Sequence, residues 1–378
     1  MRPQYLLSFF FFINSLYGQF VHKGVIVDSV SLEPISYVNI SWSSSKGTIT
    51  NEQGKFKYIS EGYDENISIY ISHLGYENKI IPRTVLSDTI YLVQKTYQLN
   101  EVTVIDTKEL KNKILKNIEN NYDSGKTCES FFIKQFLQEN GDYVNYLEAV
   151  GVVENRSKSD ILKVKIKGVR KTDDLITPYI NFIHQNIYLL LTEATTEIIN
   201  KGKIIDYDWV DSNIIEAILE EYKTKQKYLL TIDTSDHSIQ RVVKNTLTNE
   251  LKNKFQWETI RDEGEEKEFE GYLQGKLLEY DFKKIKGKYY LNRIRHKVKA
   301  VLVSKDNTIK HEFLSEQLYL TTEVISDCQT KEMKALKRGK ALNDLKIKDY
   351  NNESWQFLNA ILPLAEQQKI LNELGGVR

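Results

Sequence analysis

Between Tyr228 and about Val324 apolar and polar residues alternate with period two, over stretches longer than an ordinary strand. Side chains of an extended chain point to opposite faces in turn, so this pattern commits the region to β-structure with two chemically different faces. Tyr228, Leu230 and Ile232 lead to the turn Asp233-Thr234-Ser235-Asp236, and Ile239 to Val243 return from it. Leu278, Tyr280 and Phe282 lead to a second turn at Lys286-Gly287-Lys288. Beyond it Ile294, His296, Val298 and Ala300 fall on one face, and Arg293, Arg295, Lys297 and Lys299 on the other. A long, curved antiparallel meander with one wet face is expected.

The chain has 378 residues, enough for two or three domains at roughly 100–200 residues each. Its start reads as an export signal over 1–18. Arg2 gives a thin positive region, Leu6 to Ile13 a short apolar run, and cleavage is expected between Gly18 and Gln19. That run is too short to span a membrane, and no later stretch reaches the ~20 apolar residues a spanning helix needs. From 19 to 106 about seven short strands occur, around 20–27, 35–40, 47–56, 66–72, 78–81 and 89–93, with Gly54 placed for a positive-φ turn. Such density predicts a small β-sandwich.

Within that sandwich, Gly24-Val25-Ile26-Val27-Asp28, Pro34 to Ile40, Gly47-Thr48, Thr50-Asn51-Glu52-Gln53-Gly54-Lys55-Phe56, Ile71 to Tyr76 and Leu99 to Val104 occur in order. The series resembles the carboxypeptidase regulatory-like domain. The resemblance implies a transthyretin-like sandwich with no catalytic residues of its own, of the kind appended to outer-membrane TonB-dependent receptors and other envelope proteins of Gram-negative bacteria. The stretch beyond Asp106 is too short for a receptor's plug and barrel.

The remainder, 107–378, reads as an α+β domain. Thr107-Lys108-Glu109 offers a cap, and Leu110, Ile114, Leu115 and Ile118 form one apolar stripe, so a helix is expected over 107–122. Phe131 to Gln138 and Tyr143 to Val150 read as a hairpin around Glu139-Asn140-Gly141-Asp142. Pro178 to Ala194 and Ser212 to Glu221 read as helical excursions, and C-terminal helices close the chain. The strand pattern is similar in outline to the half-barrel of periplasmic lipoprotein carriers. The ending, Tyr350 to Leu374, resembles the last segment of uncharacterised envelope proteins that pair the same regulatory-like domain with a β-rich region. The expected fold is therefore mainly β: a seven-stranded sandwich, then a long antiparallel sheet with C-terminal helices.

Chemistry is sparse. None of His22, His73, His184, His237, His296 and His311 stands in a zinc-peptidase spacing, and no nucleophile elbow, phosphate loop or dinucleotide fingerprint occurs. No catalytic, cofactor-binding or metal-binding residue is assigned, and no cofactor is expected. Gly271 and Gly275 read as turn glycines. Lys+Arg and Asp+Glu both total 52, so the chain lacks the basic field of a nucleic-acid binder. Charge is nevertheless blocked: Glu258–Glu270 holds 7 acidic and 2 basic residues, Asp281–Lys299 8 basic and 1 acidic. The two blocks are expected to face each other across neighbouring strands. A sharper reading makes Arg293, Arg295, Lys297 and Lys299 a strip for anionic lipid or glycan headgroups. Cys128 and Cys328 are a candidate disulfide closing a long loop.

The function expected is binding or scaffolding, without catalysis, by a protein exported to the periplasm or the periplasmic face of the outer membrane. Its partner would be an envelope protein, glycan or lipid. The alternatives are a carrier sheltering a hydrophobic ligand on the half-barrel, and a hydrolase with scattered carboxylates.

Overall fold

The computed structural model describes residues 19–43, 46–61, 66–73, 75–95, 104–122, 127–155, 163–172, 187–251, 253–262, 265–308, 310–325, 333–337, 342, 345 and 361–375. The export segment 1–18, Cys328 and the residues 350–360 of the C-terminal segment lie outside them. The N-terminal part is a sandwich of two sheets. One contains Lys55–Glu61 (β4), Gln19–Asp28 (β1) and Thr89–Leu92 (β7), in that order. The other contains Gly47–Ile49 (β3), Asn39–Ser41 (β2), Ser68–His73 (β5) and Tyr76–Pro82 (β6). Ile26, Val38, Ile40, Phe56, Tyr58, Ile69, Ile71 and Ile90 fill the space between the sheets. The seven strands match the density read from the sequence.

Two local devices fix its turns. Asp28 ends β1 by accepting from the backbone N–H groups of Val30 and Ser31 and from Tyr76 Oη and Gln94 Nε2. These donors, the Ser31 and Val30 amides first, hold its carboxyl far below the usual range. Asn51 accepts from the N–H groups of Gln53 and Lys55 at 3.0 Å each, and Gly54 takes φ +69° between them. A Cβ on Gly54 would lie 2.6 Å from the Ile26 carbonyl oxygen, so the position requires glycine.

The second part is built on one antiparallel sheet of twelve described strands. Thr127–Glu139 (β8), Asp142–Asn155 (β9) and Lys163–Lys171 (β10) come first in the chain. Gly202–Trp209 (β11), Ile214–Glu221 (β12), Lys227–Asp233 (β13), Ser238–Asn245 (β14) and Asn253–Asp262 (β15) come next. Glu265–Ile285 (β16), Lys288–Ser304 (β17) and Lys310–Ile325 (β18) are the long strands, and Lys334–Ala335 (β19) is a short edge. The order is β11-β12-β13-β14-β16-β17-β18-β8-β9-β10-β19, with β15 on β16. The meander therefore runs as expected, and β18 joins it to the early hairpin.

Helices cover one face of this sheet. Thr107–Asn121 (α1) is capped by Asp106, whose carboxylate accepts from the N–H groups of Lys108 and Glu109; the cap is one residue before the Thr107 expected. Leu110 and Ile114 of α1 pack with Ile187–Glu193 (α2), Ile198–Lys201 (α3) and the inward residues Leu147, Leu230, Ile232, Tyr280, Ile294 and Tyr319 of the strands. Each fully buried aliphatic side chain contributes roughly 1.5–3 kcal/mol, so this face is the principal source of stability. Ala365–Gly375 (α4) lies against β9.

Two expectations fail here. Ser212 to Glu221 is not helical: Ile215, Ala217 and Leu219 are buried with period two, and β12 pairs on both sides with β11 and β13. Its run of good helix formers is overridden by two strand neighbours and a strand-period apolar face. Gly271 and Gly275 are not turn residues but lie inside β16. Gly275 takes φ +113° at a register shift opposite β17, where a Cβ would sit 2.0 Å from the Thr246 carbonyl oxygen.

Candidate ligand-binding cleft

The face of the long sheet expected to be wet is where the N-terminal sandwich docks. Ile49 and Tyr37 pack on Phe132, Leu318 and Leu320, and Lys46 forms a bridge to Glu323. Asn292 Nδ2 donates to Asn39 Oδ1 at 2.8 Å, and Asn51 Nδ2 to the Leu362 carbonyl at 3.1 Å. Lys134, the one charged residue between Phe131 and Leu137 of β8, is buried and reaches Glu52 Oε1 at 3.4 Å.

The proposed cationic strip lies under this contact. Register places Arg293 opposite Asp281, Arg295 opposite Glu279 and Lys297 opposite both Leu277 and Glu316. Arg293 Nε donates to Asp281 Oδ2 at 2.9 Å, and its Nη2 donates to Glu279, which also accepts from Arg241 Nη2 at 2.7 Å. Glu316 accepts from Arg295 Nε and Lys297 Nζ at 2.8 Å each. Lys299 is half-buried and forms no ion pair among the described residues. Three of the four cations are thus internally paired rather than open to a ligand, because Glu279, Asp281 and Glu316 share their sheet face.

The two charge blocks do not meet. The acidic stretch pairs with itself across β15 and β16, where Asp262 stands opposite Glu265, and its later part runs beside Val303 and Ser304. Glu270 pairs with Lys254 at 2.9 Å and Glu268 with Lys305. The length of β16 decides this: 21 residues carry the acidic segment past the far end of β17 from the basic one.

Tyr37 joins the two halves. Its backbone takes φ +60°, a costly conformation for a bulky residue, and its N–H donates to the Thr50 carbonyl at 3.1 Å. The ring meets the guanidiniums of Arg293 and Arg295, whose Cζ atoms lie 4.8 and 4.9 Å from its centroid, and its hydroxyl donates to Glu52 Oε1 at 3.2 Å. Burial first, then the carboxylates of Glu316 and Glu52, push the phenol well above its usual range.

Beside this contact the two halves leave a cleft of about 920 Å³, lined from the sandwich by residues such as Tyr37, Trp42, Thr48 and His73, and from the sheet by Arg241 and Lys283. Of the six cations in its lining, Arg241 and Arg293 are paired with Glu279 and Asp281, Arg295 with Glu316 and Lys284 with Asp236, which leaves Lys95 and Lys283 without an ion pair among the described residues. Burial, reinforced by Arg293 and Arg241, pushes the His73 imidazole down to about 4. Burial also lowers the Lys283 ammonium to about 8, with Glu129 and Asp281 opposing. Such an arrangement can accept a polar ligand. It lacks a donor set for a metal: no group of three or more His, Cys, Asp or Glu with that geometry occurs among the described residues.

Sequence reading named Arg293 and Arg295 but missed Tyr37, Glu279, Glu316, Arg241 and Lys283. Glu279 and Asp281 carried a signal, two acids at strand spacing on the neighbouring strand. Lys134 carried another, a lone charge inside Phe131 to Leu137. Of the candidate disulfide, Cys128 is buried in β8 while Cys328 lies outside the described residues. Alkylation of the unfolded, unreduced chain checks the expected pairing: no labelled thiol if the two are joined, two if they are not.

Residues 22–104 match the model of the CarboxypepD_reg-like domain. The docked sandwich is thus a regulatory-like domain, as its motifs imply. No curated protein matches the chain. Among solved structures, a protein of unknown function from Bacteroides fragilis NCTC 9343, described as membrane-associated, aligns over 82% of this chain and 99% of its own at 11% identity. Its TM-score of 0.16 is too low to carry any argument. No helix among the described residues is long and apolar enough to cross a membrane.

Proposed function

We propose that this is an exported, non-catalytic envelope protein that acts by binding, and that the cleft between the regulatory-like domain and the long sheet is where it binds. The observation that carries this reading is the joint lining of the cleft: a ligand seated there touches both halves at once. Pockets between domains are a preferred place for ligands. Glu279 and Asp281, the carboxylates a hydrolase would need here, are occupied in holding Arg241, Arg293 and Asn292. The carrier alternative loses its support because α1, α2 and α3 already cover the apolar face of the sheet.

Native mass spectrometry of the chain taken gently from envelope fractions tests the reading. A bound mass is expected in the wild type and not in Ser41→Trp, which fills the cleft lining. Equal bound mass in both, or none in either, would overturn it. Amino-terminal sequencing of the same material is expected to start at Gln19; a cytoplasmic chain still beginning at Met1 would sink the export assignment.

A further inference from the structure

The roof of the cleft is the outer face of the second sandwich sheet. Burial alternates along β2 and β5, so Ile40, Ile69 and Ile71 turn into the sandwich, and Asn39, Ser41, Ser68, Tyr70 and Ser72 turn out of it. Register sets Asn39 beside Ser72 and Ser41 beside Tyr70, and Asn78 of β6 continues the lining. This roof is hydroxyl, amide and aromatic. Strands β2, β5 and β6 place no charged side chain in it, His73 being neutral at pH 7. The Tyr70 side chain is open, the residue being 39% exposed, and Ser68 and Ser72 flank it two residues either side on the same face. Its hydroxyl, like the side chains of Ser68, Ser72 and Asn78, forms no hydrogen bond among the described residues.

Three ligand classes separate on this lining. An acyl chain finds no open aliphatic wall, because Ile40, Ile285 and Leu320 are buried. A strong anion finds the arginines of the floor already held by Glu279, Asp281 and Glu316. A neutral polyol meets matching groups on both walls. Each sugar hydroxyl both donates and accepts; serine hydroxyls and asparagine amides do the same, and the paired arginines and carboxylates of the floor set donors beside acceptors with little net charge. The C–H face of a sugar ring stacks on an aromatic face, whose quadrupole is negative.

We propose that the cleft binds a neutral oligosaccharide, with Tyr70 stacking on one sugar ring and Ser68, Ser72 and Asn78 hydrogen-bonding the hydroxyls around it; this deepens the reading of the cleft as the binding site and rests on it. The volume of about 920 Å³ lies at the upper end of the roughly 300–1,000 Å³ of ligand pockets, which suits an oligosaccharide better than a single sugar.

A glycan array probed with the full-length chain at pH 7 tests this, carrying neutral oligosaccharides of glucose, mannose, galactose, xylose and N-acetylglucosamine beside uronate-containing ones. At least one neutral oligosaccharide is expected to bind, equally at low and high salt because no net charge is neutralised. Isothermal titration with the tightest of them then reads the variants. Tyr70→Ala is expected to weaken binding roughly tenfold with Tm unchanged, since the ring turns away from the core. Tyr70→Phe, which keeps the ring, is expected to restore most of that loss, and Ser72→Ala to weaken binding several-fold. No neutral oligosaccharide bound by the folded chain, binding of uronate-containing glycans alone, or unchanged affinity in folded Tyr70→Ala would overturn the proposal. If the cleft still carries an envelope-derived mass lost in Ser41→Trp and that mass is not a carbohydrate, the ligand class falls and the binding reading stands.

Discussion

On β17, Ile294, Val298 and Ala300 enter apolar cores, whereas Arg293, Arg295 and Lys297, one residue along, meet Glu279, Asp281 and Glu316 beneath the regulatory-like domain. Both faces are covered, by different means. The helix-covered face gains free energy from area removed from water and tolerates many aliphatic combinations. The domain-covered face gains little net energy from its ion pairs, since desolvation offsets attraction, but it permits few alternatives: a shift of one residue would leave charges buried and unpaired. The apolar face stabilises the sheet, and the polar face fixes where the sandwich sits.

The largest effect is expected on the polar face. Glu316→Ala leaves Arg295 and Lys297 without their acid and should cost about 3–5 kcal/mol in urea unfolding. Replacing Glu316, Arg295 and Lys297 together by apolar residues should cost less than the single change. The reverse ranking would show that the pairs stabilise rather than position.

On the apolar face, Ile294→Ala is expected to cost about 2–4 kcal/mol by the same measurement, with the bound mass in native mass spectrometry unchanged. Loss of that mass would mean that the two faces are coupled through β17.

A pH titration separates the faces by their histidines. Burial first, then Lys276, pushes His296 down to about 4 from an ordinary 6.5, with Gln317 opposing. Below pH 6.5 the unfolded chain takes up a proton that the folded chain refuses, so stability is complete at pH 7 and declines until about pH 4. The loss attributable to His296, which is 3% exposed, is about 2–3 kcal/mol. His73 on the cleft acts in the same direction. Urea midpoints at pH 7 and 4.5 check this, and His296→Gln should remove about half of the slope, the rest belonging to His73. Asp28 falls in a separate window, losing its contribution only below its ordinary 3.8.

The smallest effect is expected from separation. A fragment from Gln19 to Asp106 keeps the whole of the core between its two sheets; it gives up polar contacts that water replaces and the apolar contact of Ile49 and Tyr37 with Phe132, Leu318 and Leu320. It should show dispersed amide signals by proton NMR. A collapsed spectrum would make the polar face part of the domain's folding rather than its docking.

Much of the fold was legible because its signals are local. Period-two alternation placed β13, β14, β16 and β17, Asn140-Gly141 and Lys286-Gly287 supplied the positive-φ turn residues, and the apolar stripe of Leu110 and Ile114 placed α1. The motif series marked the sandwich. Ser212 to Glu221 misled because its composition suits a helix, and only its neighbours β11 and β13 make it a strand.

The sequence by itself determined that β17 would have one apolar and one cationic face, since alternation is a property of the extended backbone. It did not determine what would cover the cationic face. That depended on β16 being long enough to carry Glu258–Glu270 away from Arg293, on β18 bringing Glu316 alongside, and on Tyr37 arriving from more than 250 residues earlier in the chain. Charges separated that far in sequence have no local rule that pairs them; register and docking decide, and both are settled by the burial of surfaces that exist only once the sheet has formed.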